Sequence, residues 1–248
     1  MQSIGLLNTK EAARFLRVSE ASVRRWSDAG LLPARRVGRR RERRFAQEDL
    51  VRFLGQPEDL VPAAIAKPAP VIIGGTPVPI STHVAPIYST DLGGLRLSIP
   101  FLGDGLRAGQ PCFLVAHGDD LNRYSRAIKL DQAIDFDAAV RDGQLRILDG
   151  PGVNVAEAIS NWERLFGDAL AQGPAVMRVA GEMTSERRKF VSEAEMMAYE
   201  EAYDVMARRF PVVTLCQYDA REFDGEMILR VLKSHPDMFE QNLGRFLN

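Results

Sequence analysis

Cysteine is scarce in this chain, two in 248 residues. That is too few for a disulfide framework, so Cys112 and Cys216 are expected to stay reduced. No CxxC or HxxxH spacing occurs. A metal would have to recruit His83, His117, Cys112 and Cys216, and the two cysteines sit at opposite ends of their expected strands, so no metal site is expected. Apolar runs are short. None approaches the ~18 residues of a spanning helix, and no contact with a membrane is expected. The opening MQSIGLLNTK has no basic segment leading into an apolar one, so no signal peptide is expected and the protein reads as cytoplasmic. No internal repeat is found.

Net charge is also nearly absent, at −1, but it is unevenly spread. Residues 1–56 carry 13 Lys and Arg against 6 Asp and Glu, a balance of +7, and the remainder carries −8. A basic head on an acidic body suits a head that meets nucleic acid and a body that does not.

The head, Leu6 to Leu54, reads as a small winged helix-turn-helix. Asn8 followed by Glu11 is a capping-box pattern. Ala12, Phe15 and Leu16 then fall on one helix face. Arg17-Val18 is a short turn, and Ser19 is placed to cap a second helix running to about Asp28. Val23 and Trp26 point inward on it, leaving Glu20, Ser22, Arg24 and Arg25 outward. A recognition helix needs that layout, with short polar side chains and Arg reaching base edges in the major groove. Next comes ARRVGRRRERRF. Gly38 permits a tight turn between two short strands, and Arg35, Arg36, Arg39, Arg40, Arg41, Arg43 and Arg44 line the wing, where they would meet phosphates or the minor groove. A merely solvated basic run is the plainer reading, and the adjacent helix-turn-helix pattern argues against it. Phe45, Leu50, Val51 and Leu54 close the apolar face.

EAARFLRVSEASVRRW followed by AGLLPARR and RRF resembles the DNA-binding half of the MerR/excisionase superfamily. The resemblance covers about the first fifth of the chain. It implies a second helix in the major groove, a wing on the backbone and double-stranded DNA as partner. The long dimerising coiled coil of the superfamily's usual members is missing here.

Residues 57–80 read as a Pro-rich tether, with six prolines and Gly74-Gly75 interrupting any helical or strand period. VIIGG is at most a short strand laid on a neighbour.

From about residue 81 the pattern is α/β. Helices are expected over about 91–106, 120–130, 155–171, 185–209 and 225–233, with strands at 112–116, 145–148, 175–180 and 212–216. Such alternation predicts a mostly parallel sheet with helices on both faces. The order of elements resembles a RecA/KaiC-type core. After CFLVA such a core carries GxxxxGK[ST], whose amides and lysine hold phosphates. Here the loop is HGDDLNRYSR, with no lysine and with Asp119 and Asp120 at the helix start, where they would repel a polyphosphate. No catalytic residue and no cofactor is therefore assigned, and nucleotide hydrolysis is argued against.

HVAPIYST, FLGDGLRAGQPCFLVAHGDD, RVAGEMTS, LCQYDAREFDGEMILRVLKSHP, in that order, resemble the MEDS sensory domain of methylotroph and archaeal regulators over roughly residues 81–240. The resemblance implies a domain that senses small hydrocarbon derivatives. In open α/β sheets ligands bind outside the carboxyl ends of the strands. His117, Glu182, Met183 and Tyr218 lie at three such ends, and His83 and Tyr88 precede the domain's first helix, so these six are the expected effector site. Four of them have a structural alternative: His117 as a helix cap, Glu182 paired with Arg178 or Arg187, Tyr218 as a core-edge phenol and Met183 as core filler; His235-Pro236 reads as a helix stop.

Together these features predict a ligand-responsive transcriptional regulator: residues 1–56 on DNA, residues 81–248 on a small organic effector. A homodimer or higher homo-oligomer is expected, paired through the helix at 185–209. The alternative is a nucleotide-binding or hydrolysing enzyme with a DNA-binding head.

Overall fold

The computed structural model describes residues 6–16, 18, 20–28, 32–38, 42–54, 69–150, 152, 154–240 and 244–247, with backbone alone at 21, 22, 25, 28, 54, 240 and 245. The chain divides into two compact units, Met1–Ala64 and Ile65–Asn248.

The first unit runs β1 (Leu6–Asn8), α1 (Thr9–Leu16), α2 (Glu20–Asp28), β2 (Arg35–Val37), β3 (Glu42–Ala46) and α3 (Gln47–Leu54). The capping box forms as read: Glu11 N–H donates to Asn8 Oδ1 at 2.9 Å, and Asn8 N–H donates to Glu11 Oε2 at 2.8 Å. Ala12, Leu16, Val23, Trp26, Phe45 and Leu50 are buried. β1 was not anticipated. It pairs antiparallel with β3, so the wing is a three-stranded sheet in the order β1-β3-β2.

The second unit opens with a hairpin, β4 (Val71–Ile73) and β5 (Thr76–Val78). This corrects the tether reading over 71–78; residues 57–68 of that tether lie outside the described residues. Gly74 and Gly75 do not interrupt the strands. They have φ of +53° and +79°, the two consecutive positive values a two-residue hairpin turn requires. Val71, Ile73 and Val78 are buried in the core.

The sheet follows. Its strands are β6 (Thr82–Val84), β7 (Ile87–Tyr88), β8 (Cys112–Val115), β9 (Leu145–Leu148), β10 (Met177–Glu182) and β11 (Val212–Asp219). The order is β6-β11-β10-β8-β9, with β7 also on β11, and every pairing is parallel. β8, β10 and β11 are buried along their whole length, as expected of strands covered on both faces. The helices are α4 (Asp91–Arg107), α5 (Gly118–Lys129), α6 (Phe136–Arg141), α7 (Val155–Leu170), α8 (Met183–Arg187), α9 (Glu193–Ala207), α10 (Gly225–Ser234) and α11 (Asp237–Glu240). Side chains alternate across the sheet. Leu114, Ala180, Val213 and Leu215 pack with Phe101 and Leu102 of α4, and Phe113, Val179, Cys216 and Tyr218 pack with Trp162 of α7 and Tyr203 of α9. Among the described residues no helix is long and apolar enough to cross a membrane.

Two expectations change. The helix over 185–209 is broken into α8 and α9, because Ser192 caps α9, accepting from the Glu195 amide at 3.2 Å. The Ser-x-x-Glu pattern was there to be read. Moreover, α9 is buried nearly all round, from Met196 through Ala207. A helix enclosed in its own core cannot serve as the expected dimer contact. Strands β10 and β11 also run further than read, so Glu182, Tyr218 and Asp219 are strand residues.

Candidate functional site

On α2, Arg24 faces solvent with Glu20, one turn away, and bonds it at 2.6 Å. The wing register sets Arg35 opposite Arg44 and Arg36 opposite Arg43. Like charges directly opposed weaken a strand pair; Glu42 offsets part of this by accepting from Arg44 at 2.9 Å. Gly38, at φ +76°, turns the chain out of β2. Ser19, Arg39, Arg40 and Arg41 lie outside the described residues, as do the side chains of Ser22 and Arg25.

The carboxyl edge of the sheet holds the second region. Glu182, the last residue of β10, is fully buried. Tyr124 of α5 donates to its Oε2 at 2.9 Å, Gln217 of β11 donates to Tyr124 in turn, and the Tyr88 hydroxyl also bonds Glu182. Arg123 Nη2 stands 3.6 Å from Glu182 and donates to Asp120 Oδ1 at 2.9 Å. Burial, then the charge of Asp120, push the Glu182 carboxyl up to about 7 despite these donors. The expected partners of Glu182 are engaged elsewhere: Arg178 with Gln110 and the Phe101 carbonyl, Arg187 with Glu193 and the Glu222 carbonyl.

On the opposite face, His83 of β6 and Tyr218 of β11 join a second buried centre. Tyr218 donates to Glu200 Oε2 at 3.0 Å, and His235 Nε2 stands 3.0 Å from the same oxygen. His83 Nε2 lies 3.1 Å from both Cys216 Sγ and His235 Nε2. Atoms of His83, Glu200, Cys216 and His235 fall within 4.8 Å of one another. Burial works against ionising Glu200, but the His235 hydrogen bond and the charges of His83 and His235 hold its carboxyl below the usual range. Burial, then the charge of Glu200, drive the Cys216 thiol well up. His235 does end α10, as read, yet its side chain is wholly buried in this centre. Cys112 is not part of it; its thiol points to the Leu102 carbonyl at 3.7 Å.

His117 is the N-cap residue of α5, but its side chain makes no capping hydrogen bond. It borders a narrow surface crevice with Val115, Ala116, Asp149, Gly150, Ser185, Glu186 and Lys189. Among the described residues its Nδ1 meets no hydrogen-bond partner, nor does Glu186 Oε2. Glu186 is buried, and burial followed by the charges of Glu200 and Glu182 raises its carboxyl well above the usual range. Asp119 and Asp120 occupy the first turn of α5, and Asp120 accepts from Ser185 at 2.7 Å.

The six expected effector residues therefore do not share one pocket. Tyr88 and Glu182 meet, His83 and Tyr218 both face Glu200, His117 lines the crevice, and Met183 is buried in the core. Tyr124, Gln217, Glu186 and Glu200 are not among the expected site residues, and the sequence reads His235 only as a helix stop. Glu200 and Asp204, one turn apart among buried tyrosines and methionines, were the available signal, since a carboxylate inside an apolar helix needs a partner.

Residues 82–236 match the family model described as MEDS, the methanogen/methylotroph DcmR sensory domain, and residues 6–56 match a helix-turn-helix domain. The chain is 37% identical over 247 residues to the transcriptional repressor DcmR of Methylorubrum extorquens, covering 96% of this chain and 92% of the repressor.

Proposed function

The chain belongs to the MEDS sensory-domain family, and from that premise we propose that it is a transcriptional repressor whose helix-turn-helix head releases or holds its operator according to a small organic effector. The wing register carries the DNA half of the reading. Two opposed arginine pairs cost energy in isolation and are relieved by a phosphate backbone. The head is of MerR type, with Arg24 reading a base edge and the wing holding phosphates.

The effector half is supported by the crevice at the carboxyl edge of the sheet, where His117 and Glu186 each present an unsatisfied polar atom among the described residues. The effector is a small, mostly apolar organic molecule with one polar handle. The domain is a RecA/KaiC-type core in which Asp119 and Asp120 stand where phosphates would bind, which disfavours the enzyme reading. The repressor acts as a dimer on paired half-sites, through a face other than α9.

Selection of a binding site from random duplexes, followed by operator titration with a panel of one- to three-carbon alcohols and amides, tests the reading. A preferred sequence and a shift of about 5–150-fold in affinity with at least one compound are expected. Binding without sequence preference, unmoved by every compound, would remove the proposal.

A further inference from the structure

We propose that His83, Glu200, Cys216 and His235 form a four-coordinate site for a zinc-class divalent metal ion, buried between β6, β11, α9 and the end of α10. The geometry is that of a tetrahedron's corners. A metal bound at about 2.0–2.3 Å by nitrogen, oxygen and sulfur sets its ligands roughly 3.3–3.8 Å apart. The edges are 3.1 Å for His83–Cys216, 3.1 Å for His83–His235, and, to Glu200 Oε2, 3.0 Å from His235 and 3.7 Å from His83; Cys216 lies 3.7 Å from the other carboxylate oxygen, Oε1. The sixth, Cys216–His235, lies within 4.8 Å. Slight expansion of the short edges would seat the ion.

The surrounding groups orient each ligand as a metal requires. His235 Nδ1 bonds the Val231 carbonyl at 2.8 Å, which places a proton there and leaves the Nε2 lone pair toward the centre. His83 Nδ1 faces Asp204 Oδ1 at 3.5 Å, and Asp204 is itself held by Arg208 at 3.2 Å. The His83 amide donates to Asp237 Oδ2 at 2.9 Å, fixing the strand, and Tyr218 donates to Glu200 Oε2.

Charge decides between this and a purely hydrogen-bonded cluster. A divalent ion bound by a carboxylate, a thiolate and two neutral imidazoles makes a site of zero net charge, which a buried position tolerates. Binding forms the metal–sulfur bond and releases the Cys216 thiol proton to solvent. Without an ion, four groups that compete for the same protons are packed at contact distance. Because all four positions are filled by protein, the site is closed, as structural zinc sites are. It clamps two strands to two helices whose ligands are up to 152 residues apart.

The full-length chain, stripped with a chelator and reloaded with cobalt(II), tests this. The expected result is one equivalent bound, with the intense visible bands of tetrahedral cobalt and a thiolate-to-cobalt charge-transfer band. That charge-transfer band is lost in Cys216→Ser and retained in Cys112→Ser. X-ray absorption at the zinc edge of the Cys112→Ser chain covers the case in which Cys216→Ser does not fold: one sulfur among four ligands is expected. A chain that takes up no cobalt or zinc, or a metal shell with no sulfur, overturns the site.

Discussion

The Tyr124 hydroxyl donates to Glu182 Oε2 at 2.9 Å, and both side chains are sealed from solvent. The folded chain keeps the Glu182 proton up to about pH 7, whereas the ordinary value is 4.5. Folded protein thus binds more protons across that window, so this group's contribution is full below about 4.5 and is lost as pH rises toward 7. The size is on the order of 3 kcal/mol. Urea unfolding of the sensor unit at the two ends of the window should show that loss, and Glu182→Gln should flatten it. Parallel pH profiles for wild type and variant would contradict the assignment. Glu200 and Asp204, held low, act with the opposite sign and at lower pH.

The wing makes a separable prediction. Replacing Arg36 or Arg43 by Ala should reduce the slope of log affinity against log salt by about 0.9 each, on operator and random duplex alike. Arg24→Ala should instead cost ~1–3 kcal/mol on the operator with a smaller effect on random DNA. Equal losses on both duplexes for Arg24→Ala would assign it to phosphate rather than base contact.

The reciprocal bonds between Asn8 and Glu11 satisfy two amides at the start of α1. Asn8→Ala should lower the head's stability by about 1 kcal/mol and leave the sensor unit's unfolding midpoint in place. Calorimetry that resolves the two transitions checks this; a shift of the sensor transition alone would be incompatible with it.

Short-range chemistry was legible in the sequence. The Asn8–Glu11 cap, the inward Val23 and Trp26, and the apolar runs of β8 and β11 each follow from neighbours a few residues away. The hairpin at Gly74-Gly75 was misread because glycine both breaks strands and makes their tightest turns, and only the pairing of Val71 with Val78 decides which. The buried centre was illegible for a different reason. His83 and His235 meet across 152 residues, through parallel strands and crossover helices whose register no local pattern encodes. Tyr124 and Gln217 looked like ordinary helix and strand residues until Glu182 lay between the elements that carry them.

Gly181 offers the sharpest test of the effector crevice. A Cβ added there would lie 2.5 Å from Glu186 Oε1, closer than atoms approach. That oxygen is the end of a side chain, so in Gly181→Ala the carboxylate must swing away while the strand backbone keeps its place. Glu186 lines the crevice beside His117, and moving it changes the crevice's shape and its acid together. The head is untouched, so operator affinity of the unliganded protein should stay within about twofold. Coupling to a bound compound, about 1–3 kcal/mol in the intact protein, should fall toward zero. Linkage makes this measurable from either side, since an effector that weakens operator binding must itself bind less tightly when operator is saturating. A Gly181→Ala protein that stays folded and still responds like wild type to the same compound would place effector binding away from Glu186.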